Sequence, residues 1–68
     1  MNNTIRINDH IREWKEGMTI QDALILMNYT FKMLVVKIDG RLVPKTDYAI
    51  TTIPNGADIK VIHLISGG

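Results

Sequence analysis

The chain contains no cysteine, so it can build neither a disulfide framework nor a thiolate metal site, and it cannot itself act as a redox or thiol catalyst. Lys and Arg never stand side by side. Its eight basic and seven acidic residues leave a formal charge of +1, and with no basic run to track a phosphate backbone we expect no nucleic-acid partner. No apolar stretch approaches the roughly 20 residues of a membrane span, and Met1-Asn2-Asn3-Thr4 lacks the basic and apolar regions of a secretory leader. The expectation is a cytoplasmic protein without a membrane partner. Two prolines and five glycines are too few and too scattered for a flexible linker, and no repeat or low-complexity segment is present.

What remains is a small core. A single domain of 68 residues buries only about 60% of the surface its unfolded chain exposes, which leaves no room for a deep catalytic cleft. Hydrophobic residues make up 46% of the chain, an ordinary globular share that argues against disorder, so stability must come from packing.

Thr4-Ile5-Arg6-Ile7-Asn8 alternates with period two, as a strand does when Ile5 and Ile7 face a core and Arg6 faces water. Asn8-Asp9 reads as a hairpin turn, and Ile11 to Trp14 as the returning strand. Thr19 has the chemistry of a helix N-cap, and Asp22 three residues later complements the helix dipole. Ile20, Ala23, Leu24 and Met27 then recur at helical spacing, with Gln21 and Asp22 pointing outward and Asn28 as the stop. Leu34 to Ile38 reads as a β-branched central strand, Asp39-Gly40 as a turn, Arg41 to Val43 as a short strand ended by Pro44, and Pro54-Asn55-Gly56 as a further turn. The last strand runs from Asp58 to Leu64, with Ile59 and Val61 on one face and Ile62 and Leu64 on the other.

One helix segregated to one face of a mixed sheet of four to five strands is an α+β arrangement. The simplest packing is a β-grasp, the ubiquitin-like fold, over residues 1–64, with residues 65–68 as a flexible tail. Its first and last strands lie parallel at the sheet centre, which puts Ile5, Ile7, Ile59 and Val61 beneath the helix stripe. Ile25 and Leu26, partly off that stripe, are expected to widen the buried face.

Ile7-Asn8-Asp9, Glu16-Gly17 with Thr19-Ile20, Val36 to Ile38 with Gly40, Val43-Pro44-Lys45, Gly56 and Gly67-Gly68 are landmarks that, in this order, resemble those of the ubiquitin-like sulfur carriers of the ThiS family over nearly the whole chain. No single one is specific; their order, spacing and the total length carry the likeness. The chain departs from the family at turn and packing positions: Asp39 stands where Asn is usual, Tyr48 where Trp or a similar residue is, and Gly56-Ala57 where Gly-Asp is. Ser66-Gly67-Gly68 also resembles the end of the related molybdopterin-synthase small subunit, MoaD, but His63-Leu64 stand where that family has paired prolines. A ubiquitin-like protein-modifying or interaction module is a further alternative on the same fold.

The resemblance implies a carrier rather than an enzyme, binding no cofactor of its own. A ThiF-like partner would use ATP and Mg²⁺ to adenylate the Gly68 carboxylate, and a cysteine-desulfurase-type donor would supply sulfur for a thiocarboxylate that thiazole synthase, ThiG-like, consumes. Glycine suits such a tail because backbone without Cβ can thread a narrow channel. At about 3.3 Å per extended residue, Ile65, Ser66, Gly67 and Gly68 reach roughly 13 Å. The competing expectation is an ordinary frayed end.

Ile62 and Leu64 place apolar side chains where a solvated sheet face alternates to polar, and we read them as a docking patch for the partner. The competing expectation is burial beneath the loop of the 40s. His10 and His63, the two imidazoles, fall short of the three or four ligands a zinc site needs and read as surface residues.

Overall fold

The computed structural model describes residues 3–29 and 33–64. Five strands form one mixed sheet in the order β2-β1-β5-β3-β4, made of β1 (Thr4–Ile7), β2 (His10–Glu13), β3 (Leu34–Ile38), β4 (Arg41–Val43) and β5 (Asp58–His63), with the helix α1 (Ile20–Leu26) between β2 and β3 in sequence. β1 and β5 run parallel, and every other pairing is antiparallel. This is the β-grasp arrangement, with the last strand central and paired on both sides.

Both hairpins turn where the residue chemistry allows positive φ. Asn8 and Asp9 have φ of 49° and 70°, and Asp39 and Gly40 have 48° and 85°, the primed-turn conformation whose twist matches paired strands. The returning strand is displaced by one residue from expectation, covering His10 to Glu13 rather than Ile11 to Trp14. Trp14 still bonds backward, its N–H donating to the Asn3 carbonyl at 2.8 Å, while its indole Nε1 donates to the Ile53 carbonyl at 2.6 Å.

The helix is closed at both ends by side chain and backbone. Asp22 N–H donates to Thr19 Oγ1 and Thr19 N–H to Asp22 Oδ2, a reciprocal capping box that satisfies two orphan donors. At the other end Asn28 takes φ of 59°, and Tyr29 and Asn28 N–H donate to the Leu24 and Ile25 carbonyls, a Schellman ending with Asn in the place glycine more often takes.

The core consists of Ile5, Ile7, Ile20, Ala23, Leu24, Val36, Val43, Ile53, Ala57 and Ile59, all buried. Val61 and Met27, expected within it, are partly buried at its margin. Ile25 and Leu26 do not widen it; they are 67% and 52% exposed. At about 100° per residue they stand roughly 150° and 110° around the helix from the buried stripe, so two short turns cannot bring them to the sheet. Residues 44–53, unassigned from sequence, make one 3₁₀ turn at Lys45–Asp47 and then return along the start of α1. Ile20 N–H donates to the Thr51 carbonyl and Ile53 N–H to the Met18 carbonyl, which delivers Ile53 to the core. Partial burial pushes the Tyr48 phenol above its ordinary pKa.

Candidate functional site

The strand leading to the tail is anchored on both sides. On one side β5 pairs with β3 through five opposed residue pairs, from Ile38 and Ile59 to Leu34 and His63. On the other, the β1 ladder reaches Ile59, where Asn8 N–H donates to the Ile59 carbonyl, and there β1 turns away. The Asn8 side chain then takes over: its Nδ2 donates to the Val61 carbonyl at 2.9 Å and its Oδ1 accepts from Val61 N–H at 2.8 Å. One amide thus stands in for the next peptide of the missing strand, satisfying two part-buried backbone groups. The anchoring continues to Leu64, whose N–H donates to the Met33 carbonyl at 2.9 Å. The root of the tail is held in place up to the last described residue.

Strand alternation sorts β5 into two sets. Ile59 is buried and Val61 half-buried toward the helix, whereas Lys60, Ile62 and Leu64 lie on the opposite, open face. Ile62 is 47% exposed and Leu64 43%, so the 40s loop does not cover them. The register sets Val35 beside Ile62 and Lys37 beside Lys60, with Leu42 next to Lys37 on β4; Met33 is the neighbour of Leu64. Val35, Met33 and Leu42 were not singled out from sequence, although alternation along Leu34 to Ile38 already places Val35 and Lys37 on one face; the signal was there without the register to use it.

The open face therefore has an apolar end at the tail root, formed by Met33, Val35, Ile62 and Leu64, bordered by a row of Lys60, Lys37 and Leu42. Lys60 Nζ lies 3.5 Å from Asp9 Oδ1, with both side chains exposed, an ion pair of the kind that contributes little in water. Ile65, Ser66, Gly67 and Gly68, the expected threading segment and reactive end, lie outside the described residues. His10 and His63 are not brought together, since β1 stands between their strands. Among the described residues no three of His, Asp and Glu cluster as a metal site, and no helix is long and apolar enough to cross a membrane. An open cleft of about 540 Å³ lies between β2 and α1, lined by Met18, Leu26 and charges of both signs, among them Arg12, Lys15 and Glu16. It belongs to the β2 edge and not to the strand that carries the tail.

A comparison of folds finds the same architecture in the crystal structure of the thiamine biosynthesis protein ThiS from Geobacter metallireducens. The likeness spans 96% of this chain and 99% of that one with a TM-score of 0.75, at 14% sequence identity. The family model of ThiS matches residues 5–68, a span that takes in all of the sheet but Thr4, with the open face and Gly67-Gly68. The chain belongs to the ThiS family, whose members are small sulfur-carrier proteins.

Proposed function

We propose that this chain is the sulfur carrier of thiamine biosynthesis, the pathway named for the Geobacter protein, and that its reactive group is the Gly68 carboxylate. The observation that carries the reading is the extent of the family match, which runs through Gly68. It is supported by the geometry of the root: a central strand, bonded on both sides, delivers Leu64 four residues from Gly68.

A carboxylate is a poor electrophile because resonance and charge deactivate its carbonyl. Attack of a Gly68 oxygen on the α-phosphorus of ATP, Mg²⁺-assisted within a ThiF-like partner, expels pyrophosphate and leaves an acyl adenylate with AMP as leaving group. The terminal sulfur of a cysteine-desulfurase-derived persulfide then displaces AMP, and cleavage of the resulting S–S bond by a thiol leaves the thiocarboxylate. A ThiG-like thiazole synthase takes the sulfur. This chain supplies the carboxylate, the reach and the docking surface at Ile62 and Leu64; the partner supplies the catalysis. On this reading the chain is a cosubstrate of its partners, acting in the cytoplasm where ATP is supplied.

Intact mass spectrometry after incubation with the activating enzyme of the same genome, ATP, Mg²⁺ and a sulfur donor tests this. Replacement of one oxygen by sulfur, mapped to Gly68, is the expected result. An unchanged mass, or attachment of the chain to lysines of other proteins, would overturn it.

A further inference from the structure

The row that borders the apolar end of the open face contains an arrangement that folding does not favour. Lys37 and Lys60 are directly opposed across the β3–β5 ladder, which sets their Cβ atoms about 5 Å apart on the same face, and like charges directly opposite destabilise a sheet. Lys60 has a distant partner in Asp9. Lys37 has no carboxylate within ion-pair distance among the described residues. Both lysine positions adjoin apolar neighbours in the ladder, Leu42 paired with Lys37 on β4 and the Ile62–Val35 pair the next one along on the same face, about 7 Å away along the strands. Two cations at the rim of an apolar surface, one of them without an ion-pair partner among the described residues, form a site that an opposing carboxylate completes.

The geometry points to an acidic side chain of the activating enzyme seated between Lys37 and Lys60, with the apolar surface of Met33, Val35, Ile62 and Leu64 packed beside it. This rests on the reading that the open face docks the activating enzyme, and adds the charge of the partner surface and the two residues that select it. The lysine pair orients the docked body. Apolar contact is non-directional, whereas a carboxylate held at one rim fixes which way the tail root points. On its own the chain keeps the two charges apart in water, where screening makes their repulsion small; removal of water at the interface strengthens both the repulsion and the attraction to a carboxylate, so the pair discriminates between partners more than it stabilises the fold.

The test compares wild type with Lys37→Gln, Lys60→Gln and the double variant for affinity to the ThiF-like enzyme of the same genome, across a range of sodium chloride, alongside thermal melting. The expected outcome is that wild-type affinity falls as salt rises, the double variant binds about tenfold more weakly at low salt with most of that salt dependence gone, and its Tm is no lower than wild type. Equal affinity and salt slope in wild type and double variant would overturn the inference while leaving the carrier reading intact. That is also the result expected if the chain's own terminal carboxylate, rather than the partner's, occupies the pair. Absence of wild-type binding would overturn both.

Discussion

The two faces of the sheet obey different rules although they share the same strands. Toward α1, β1, β3 and β5 present Ile5, Ile7, Val36 and Ile59, all branched, aliphatic and buried, with Leu34, Ile38 and Val61 partly buried at the margin. On the open face the same strands carry Arg6, Lys37 and Lys60 together with half-buried Val35 and exposed Ile62, a mixture of cations and aliphatics. The helix-facing set has its chemistry decided by the requirement for a core in a domain with little interior to spare. The open set leaves two lysines opposed across the ladder and Met33, Ile62 and Leu64 exposed at the tail root, a combination that fits the proposed docking surface.

If the helix-facing set carries the stability, Ile7→Ala is the most damaging of the simple substitutions. It removes a fully buried side chain and leaves a cavity, at a cost of about 2–5 kcal/mol. With about 4–8 °C of Tm for each kcal/mol in a domain this size, thermal melting should fall by ten degrees or more. A loss within a degree or two would mean that the core is elsewhere.

Asn8, whose side chain ties the end of β1 to β5, ranks next. Asn8→Gly keeps the positive φ the turn needs but deletes the amide that bonds Val61, so two strand groups lose their partner at a cost of about 1–3 kcal/mol. Hydrogen exchange should show the Val61 amide becoming labile while Ile38 and Ile59 remain protected. Uniform loss of protection would show instead that Asn8 serves the whole hairpin.

Smallest in stability is Ile62→Asp, on the open face. An exposed position away from caps and core moves stability by about 0.5 kcal/mol or less, whereas a carboxylate set into the apolar end of the docking surface should weaken binding of the ThiF-like enzyme at least about tenfold. Comparable melting with comparable binding would remove Ile62 from the docking surface; a collapse in melting would make it a core residue.

Features whose cause is local were legible in the sequence. Asn8-Asp9 and Asp39-Gly40 carry their turn conformation in their own chemistry, and Thr19 with Asp22 closes its hydrogen bonds within four residues. Features whose cause is a distant partner were not. Residues 44–53 have weak patterning of their own and are ordered by backbone bonds to Met18 and Ile20, so Ile53 looked like a loop residue and is core. Ile25 and Leu26 misled because an apolar pattern does not reveal where a short helix stops meeting the sheet. In the candidate site, Ile62 and Leu64 were readable from alternation alone, but Val35, Leu42 and the opposed lysines emerge only with the register between β3, β4 and β5.

The central claim is that a folded body presents one reactive carboxylate at Gly68. It is tested most directly by lengthening the chain by one alanine after Gly68 and repeating the intact-mass assay with the activating enzyme, ATP, Mg²⁺ and sulfur donor. The account predicts unchanged melting, retained binding to the enzyme and no exchange of oxygen for sulfur. A lengthened chain that still forms a thiocarboxylate would contradict it.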